Sequence, residues 1–145
     1  MKTPVYFGYN DVDYKWVGRE NWTYTKTFRF HASWRSRENI VLNLEGVDTV
    51  ATVLLNDKVV GTTDNMFVRY RFDVKPYLKF YRKNKLVLEF NSPVNYASEQ
   101  FERHKKNKYI VPPVCVPPSY HGECHVNFIR FVILFRLYAS SSNHL

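Results

Sequence analysis

The sequence contains few glycines, cysteines and methionines, with 5, 2 and 2 of these residues in a chain of 145. So little glycine excludes a collagen-like or glycine-rich low-complexity chain. The longest apolar run, Phe131 to Phe135, has five residues, whereas a membrane-spanning helix needs about 18 or more. The segment from Met1 to Asp11 has charges and a proline but no apolar core of the secretory type. We therefore expect no membrane contact and no signal peptide in this chain.

The motifs of common active sites are also absent from the sequence. It has no glycine-rich phosphate loop, no Gly-x-Ser-x-Gly elbow and no His-Glu-x-x-His pair. Two carboxylate pairs remain, Asp11 with Asp13 and Glu99 with Glu102. The second pair has the i,i+3 spacing of a solvated helix face, beside basic residues that would pair with it. The sequence therefore predicts no catalytic residues, no metal site and no cofactor.

Aromatic and hydrophobic residues are abundant, at 17% and 45% of the chain. This composition excludes intrinsic disorder, which needs few aromatics and low hydrophobicity. A length of 145 residues suits one domain with a real core and leaves no room for a second large one.

The chain is basic, with 21 Lys and Arg against 13 Asp and Glu, a formal net charge of +8. The positive charges are spread along the sequence, at Lys26, Arg29, Arg69 and Arg71, at a predicted turn (Arg82, Lys83, Lys85), and in the run from Arg103 to Lys108. Basic residues interleaved with aromatics can bind single-stranded nucleic acid, a reading that predicts steeply salt-dependent binding. Because no nucleic-acid-binding motif is present, we interpret the charge as a solvated face and expect no nucleic-acid partner.

Strand patterns dominate the chain. Apolar or aromatic residues alternate with polar or β-branched ones in segments that we predict as strands: 22–31, 40–45, 50–55, 58–60, 68–73 and 86–90. Between the third and fourth segments, Asn56-Asp57 tolerates the positive φ of a tight hairpin turn. About six strands at this spacing predict an all-β fold, a jelly-roll β-sandwich.

Helical patterns are weak. Asp73 could cap a single turn from Val74 to Leu78, although Pro76 limits its length. Residues 97–104 have helical spacing, and we expect one or two turns there.

Cys115 and Cys124 lie in a loop that contains four of the seven prolines, Pro112, Pro113, Pro117 and Pro118. Three interpretations are open. A disulfide would close a short loop and contribute about 2–3 kcal/mol. Free thiols are possible, and a metal site would use His121 and His125, although their spacing is not that of common zinc sites.

One glycosylation acceptor is present, Asn21 in Asn21-Trp22-Thr23. The acceptor has meaning only if the protein enters the secretory pathway.

Residues 9–130 resemble the N-terminal, galactose-binding-like sugar-binding domain of β-mannosidases of the animal lysosomal type. The resemblance rests on short segments whose order and spacing agree over most of the chain. These are Glu20–Tyr24, Leu44–Val50, Leu55-Asn56, Gly61, Thr63–Phe67, Tyr70, Phe72–Val74, Val111–Pro113 with Cys115, and Gly122–Arg130.

The resemblance implies a parent enzyme, lysosomal or secreted, that removes terminal β-linked mannose from glycoprotein glycans and other β-mannosides. Its two catalytic glutamates, one a general acid and the other a nucleophile, would lie in a (β/α)8 barrel behind this sandwich. The resemblance also implies a disulfide between Cys115 and Cys124. Gly46 and Asp48 would turn the chain between two strands. Asp64 and Asn65 would be turn residues or, in the weaker reading, would help to shape the sugar pocket from a loop that lies toward the barrel.

The resemblance stops at Arg130. In the family a lysine follows, and then a Trp-Asp-Trp-Gly-Pro motif that contacts mannose, whereas here the sequence continues with Phe131-Val132-Ile133. We therefore predict a family domain over 1–130, cut at both ends and so incomplete, and a non-family tail over 131–145. Without the barrel, the chain is expected to be inactive alone. The alternative is a stand-alone carbohydrate-binding sandwich.

Overall fold

The structure, a computed structural model, describes residues 7–107 and 133–140. They fall into two compact units. The sheet unit contains residues 22–90 and 133–140, and the helical unit contains residues 7–21 and 91–107.

The sheet unit consists of antiparallel strands, as the alternating patterns predicted. Their bounds are β1 Trp22–Phe28, β2 Asn39–Val47, β3 Ala51–Leu55, β4 Lys58–Thr63, β5 Tyr70–Asp73, β6 Asn84–Phe90 and β7 Ile133–Ser140. Two short 3₁₀ turns, Ala32–Ser36 and Lys75–Tyr77, connect some of them. The second is the single turn expected after Asp73, whose carboxylate accepts a hydrogen bond from the Lys75 N–H at 3.1 Å.

The strands form two sheets, one in the order β1-β6-β3-β4 and the other in the order β5-β2-β7. Every pairing is antiparallel. Alternate residues of β2, β3 and β6 are buried together in one apolar cluster, which contains Ile40, Leu42, Leu44, Val47, Ala51, Val53, Leu55, Val74, Leu86, Leu88 and Phe90. Because β2 belongs to one sheet and β3 and β6 to the other, the sheets share one core. The all-β sandwich prediction is confirmed.

The β3–β4 hairpin turns at the predicted residues. Asn56 and Asp57 have φ values of 52° and 66°, the pair of positive values that a type I′ turn requires. Asparagine and aspartate reach this region at lower cost than other non-glycine residues.

Asn56 and Asn84 form a hydrogen-bond network beneath this hairpin. Asn84 is 0% exposed, and its Oδ1 accepts hydrogen bonds from Asn56 Nδ2 and the Lys79 N–H, both at 2.8 Å. Its Nδ2 donates to the Lys79 carbonyl at 2.9 Å. The Asn56 amide donates to the Tyr77 carbonyl at 2.7 Å and accepts from the Lys85 N–H at 3.1 Å. Two side chains thus join the hairpin, the 77–83 loop and β6.

β1 is an edge strand that carries a charge on its core-facing side. Lys26 lies opposite Leu86, which is 2% exposed, and directly opposed residues of an antiparallel pair share a face. Lys26 itself is exposed. A lysine on an edge strand is one of the ways in which natural sheets block edge-to-edge association.

β2 departs from the expected turn at Gly46, which lies inside the strand and not at its end. The pairing of β2 with β7 shifts between Leu44 and Gly46, so that Glu45 is the extra residue of a β-bulge. The bulge allows both Leu44 and Val47 to be buried, although they are three residues apart. The chain turns at Asp48 and Thr49, after the strand.

The helical unit contains α1 (Asn10–Asp13), a 3₁₀ turn (Lys15–Arg19) and α2 (Pro93–Lys106). α2 has 14 residues where the sequence predicted one or two turns. The missed signals lie at its start, where Pro93 occupies a favourable first position and Ser92 Oγ accepts a hydrogen bond from the Asn95 N–H at 3.1 Å. Exposed Arg103 and Lys106 lie in its last turn, where positive charge favours the helix dipole. No helix among the described residues is long and apolar enough to cross a membrane.

We predict that Asn84→Ala lowers the free energy of unfolding by about 3 kcal/mol, since several buried polar groups lose their partners. Urea denaturation measures the change. Asn91→Ala is the matched control, because Asn91 is exposed and its truncation should cost less than about 0.5 kcal/mol. Equal effects of the two substitutions would contradict the role given to the buried network.

Candidate functional site

The loop between β4 and β5 contains Asp64 and Asn65, the two weak candidates for shaping a sugar pocket. Both are exposed, and both are bonded to Tyr70 at the start of β5. The Tyr70 hydroxyl donates to the Asp64 carboxylate at 2.8 Å and accepts from the backbone N–H groups of Asp64 and Asn65 at 3.0 and 2.8 Å. One phenol oxygen therefore fixes the first half of the loop.

The second half of the loop is fixed by two further contacts. Asn65 Oδ1 accepts a hydrogen bond from the Phe67 N–H at 2.8 Å, an Asx turn of the kind that asparagine favours in loops. Arg69 Nε donates to the Glu45 carboxylate at 2.7 Å. Asp64 and Asn65 thus serve as turn residues. Their use in shaping a sugar pocket stays a prediction.

The tip of this loop presents apolar side chains to solvent. Phe67 is 88% exposed, Val68 41% and Met66 39%. Three consecutive exposed apolar residues on a hydrogen-bonded loop are unusual for a surface with no partner, since contiguous exposed apolar groups generally mark an interaction site. We call Met66, Phe67 and Val68 the apolar tip.

The helical unit contains a polar cleft of about 220 Å³ at the start of α2. Amide, hydroxyl, phenol and carboxylate groups line it, from Asn21, Asn91, Ser92, Asn95, Tyr96 and Glu99. Ser92 is 1% exposed, and its Oγ donates to the Gly18 carbonyl at 2.8 Å while it caps α2. The cleft walls are therefore fixed by buried hydrogen bonds.

Asn21, the predicted glycosylation acceptor, is exposed at the edge of this cleft. Its Oδ1 accepts a hydrogen bond from the Ser92 N–H at 2.7 Å. The hydrogen bond involves the amide oxygen of Asn21. The amide nitrogen, to which a glycan would be attached, takes no part in this bond.

Of the two carboxylate pairs in the sequence, Glu99 and Glu102 do not lie in the cleft together. Glu99 lines the cleft, whereas Glu102 is exposed and does not line it. Asp13 ends α1 and is exposed. Over residues 7–107 and 133–140, no three His, Cys, Asp or Glu side chains are grouped as a metal site requires.

Cys115 and Cys124, with the alternative metal ligands His121 and His125, lie outside the described residues. The disulfide therefore stays a prediction. Two functional features escaped sequence reasoning, the Tyr70 hydroxyl and the polar cleft. The local sequence signal for the role of the Tyr70 hydroxyl is the Asx motif that precedes this aromatic residue. The cleft has no local signal, because it joins residues about 70 positions apart in the chain.

Comparison with known proteins points to one family. Residues 2–134 match the family model of the glycosyl hydrolase 2 galactose-binding domain-like module. The β-mannosidase of Bos taurus is 48% identical over 130 residues, which cover 90% of this chain and 14% of the bovine protein. A probable β-mannosidase of Caenorhabditis elegans is 37% identical over 125 residues, which cover 86% of this chain and 14% of the relative.

A solved structure gives the same result. The crystal structure of the β-D-mannosidase of Dictyoglomus thermophilum matches 68% of this chain and 12% of its own, at 34% identity and a TM-score of 0.64. The chain therefore spans only about a seventh of the length of the curated animal relatives it matches.

We predict that Tyr70→Phe loosens the 64–68 loop, because the substitution removes the hydroxyl that bonds three groups there. Hydrogen exchange of the amides of residues 64 and 65 should accelerate by at least tenfold, equivalent to about 1.4 kcal/mol, while the fold is retained. Tyr9→Phe, at a residue 82% exposed, is the control and should change neither rate. Unchanged loop exchange in the Tyr70 variant would contradict this account.

Proposed function

The chain belongs to the glycosyl hydrolase 2 galactose-binding domain-like family, and we propose that it serves as the accessory β-sandwich of a β-mannosidase. The observation that carries this proposal is the 48% identity to bovine β-mannosidase over 130 residues. The proposed parent activity is retaining hydrolysis of terminal β-linked mannose in glycoprotein glycans and other β-mannosides, with glutamates as acid and nucleophile.

The proposal assigns the chemistry to the catalytic barrel and none of it to this chain. Retaining hydrolysis needs two carboxyl groups about 5–5.5 Å apart on either side of one bond. Among the described residues, the cleft that could admit a sugar is lined by a single carboxylate, that of Glu99. The proposal therefore places both of the required carboxyl groups on the barrel.

We predict that the purified chain releases no product from a chromogenic β-mannoside above the buffer rate, while full-length bovine β-mannosidase, assayed in parallel, does so. Mannose release by this chain that an active-site-directed β-mannosidase inhibitor abolishes would contradict the proposal. Saturable mannose binding without hydrolysis would favour a stand-alone carbohydrate-binding sandwich. Binding at the cleft would be measured as a mannose-dependent change in the spectroscopic signal of Tyr96.

The apolar tip is the proposed contact between this domain and the catalytic barrel. Phe67 is the most exposed large apolar residue among those described, at 88%. The hydrogen bonds of Tyr70 and Asn65 fix its loop in advance. Such preorganisation lowers the entropy cost of an interface. Aromatic residues at the centre of interfaces contribute a large share of binding energy.

We predict that Phe67→Ser has little effect on the isolated chain but destabilises a chimera in which this chain replaces the matching segment of bovine β-mannosidase. The chimera should lose about 2 kcal/mol of stability at the interface, with a lower Tm and faster thermal inactivation. Val59→Ser, at an edge-strand residue 57% exposed, is the matched apolar control. Equal effects of the two substitutions in the chimera would contradict the proposal that the apolar tip contacts the barrel.

The parent enzyme is proposed to be lysosomal or secreted, a setting in which Asn21 carries an N-linked glycan and Cys115 is bonded to Cys124. Exposure of Asn21 supports the first modification. The four prolines at 112, 113, 117 and 118 support the second, because proline has no N–H to donate and a disulfide could stabilise such a segment.

We predict that the chain, expressed with a secretory leader in animal cells, loses one glycan's mass on treatment with an N-glycosidase. Thr23→Ala should abolish that shift without changing stability, since it keeps the Asn21–Ser92 hydrogen bond. Asn21→Gln should abolish the shift and also lower stability by about 1 kcal/mol. A glycan that persists in the Thr23 variant would show that a residue other than Asn21 is glycosylated.

A further inference from the structure

The positive charge of the sheet unit is concentrated in two segments that contain no acidic residue. Residues 29–37 contain three of the 21 Lys and Arg residues of the chain, and residues 74–85 contain five. Neither segment contains any of the 13 Asp and Glu residues. Because the segments are far apart in the sequence, only the fold can bring their charges together.

Two contacts between side chains and the partner segment hold these segments side by side. Arg35 Nη1 donates a hydrogen bond to the Tyr81 hydroxyl at 3.0 Å, and its guanidinium carbon lies 5.8 Å from the centre of the Tyr81 ring. Lys75 Nζ donates to the backbone carbonyl of Arg37 at 2.5 Å. The charges of the two segments therefore belong to one surface.

Both segments are also fixed from beneath by the sandwich. The Phe30 ring packs against the rings of Phe28 and Trp34, with centroid distances of 5.3 and 5.0 Å. Phe28 lies opposite the buried Asn84 in the pairing of β1 with β6. The Asn84 amide bonds both the N–H and the carbonyl of Lys79. The backbone that carries the charges is thus positioned in advance, which lowers the entropy cost of binding a ligand.

Two of the eight cationic side chains already have partners in the structure. Lys85 Nζ lies 3.7 Å from the Asp57 carboxylate, and Lys75 is bonded to backbone carbonyls. The other six are exposed, and within the part of the chain that the structure describes none of them forms an ion pair. We call these six the basic patch: Arg29, Arg35, Arg37, Lys79, Arg82 and Lys83. Neighbouring like charges repel one another, so the patch favours a partner with several negative charges.

The basic patch lies at the other end of the strands from the apolar tip. β5 begins at Tyr70, which bonds the tip loop, and ends at Asp73, next to residues 74–85. β4 ends at Thr63, just before the tip loop, and its six residues span about 20 Å. The proposed contact between the apolar tip and the barrel therefore does not use the basic patch.

We propose that the basic patch binds a sulfated polysaccharide. Four of its six cations are arginines, whose paired N–H donors match the oxygens of tetrahedral and planar oxyanions. The choice of a polysaccharide as the partner rests on the proposed function, a module of a secreted or lysosomal glycosidase.

The aromatic residues of the two segments argue against single-stranded nucleic acid as the partner. Proteins that bind it stack successive bases on aromatic side chains. Among the residues of these segments, Tyr81 is the one large apolar side chain that is mostly exposed, at 73%, and its hydroxyl is bonded to Arg35. The surface therefore offers charge without a row of stacking platforms.

The first test uses the unaltered chain, with heparin as the probe. Acetylation of lysine amines, followed by peptide mass mapping, reports how accessible each lysine is. Bound heparin should slow the acetylation of Lys79 and Lys83 roughly fivefold, because a polyanion on the patch covers their amines. Lys106, exposed on α2, is the control and should change far less. Equal protection of the three lysines, or protection of Lys106 alone, would overturn the proposal.

The second test compares two double variants that each remove two positive charges. Arg82→Ser with Lys83→Ser alters the basic patch, whereas Arg103→Ser with Lys106→Ser alters the densest basic run of the sequence. At about 0.15 M NaCl, the Kd for heparin should rise roughly tenfold in the first variant and less than about twofold in the second. The salt dependence of Kd should also weaken in the first variant, since fewer counterions are displaced. Equal rises would show that only net charge matters and would overturn the proposal. Should the first variant fail to fold, the lysine protection still decides.

Two further probes decide the class of partner. Poly(dT), and phosphatidylcholine vesicles with about one-third phosphatidylserine, should bind roughly tenfold more weakly than heparin. Tighter binding of either would overturn the choice of a polysaccharide. These measurements need neither hydrolysis nor the barrel, so a negative result leaves the proposed function standing. A chimera without β-mannosidase activity would contradict the proposed function and not the binding of heparin.

Discussion

The structure depends on one constraint: β2 must be hydrogen-bonded along both of its edges. Ile40, Leu42, Leu44 and Val47 of this strand are each no more than 1% exposed, so an open edge on β2 would expose backbone groups next to the core. β5 occupies one edge and β7 the other. An open edge also presents a row of unpaired N–H and C=O groups to which another chain can pair. The pairing of both edges of β2 therefore covers the strand that contributes four of the most deeply buried residues.

The candidate site is built on the β5 side of the same strand. Tyr70, the first residue of β5, lies opposite Leu44 and bonds the loop that carries the apolar tip. Arg69 and Glu45 join that loop to the bulge of β2, although an ion pair this exposed contributes little by itself. The tip is thus positioned by the sandwich core through backbone pairing and one phenol hydroxyl. An accessory domain needs such a fixed surface more than it needs chemistry of its own.

Much of the fold could be predicted from the sequence, because period-two alternation directly reflects a sheet with one buried face. The Asn56-Asp57 turn was predictable for the same local reason, since few residue pairs adopt two positive φ values. The bulge at Glu45 and the pairing of β7 were not, because each depends on a partner distant in the chain. The length of α2 was missed although Ser92 and Pro93 mark its start. The candidate site likewise had some features that local sequence predicted and others that required the fold. Asp64 and Asn65 were identified as turn residues, whereas their bonds to Tyr70 and the exposure of Phe67 required the folded structure.

Residue-resolved hydrogen exchange of β2 tests the constraint most directly. In an antiparallel strand, successive N–H groups point to opposite neighbours, so an interior strand protects consecutive amides and an edge strand only alternate ones. The account predicts slow exchange at consecutive residues from Ile40 to Leu44, with rates similar to those of β3, which is paired on both edges by β4 and β6. Alternating protection in β2, with every second amide exchanging as fast as an exposed loop, would contradict it.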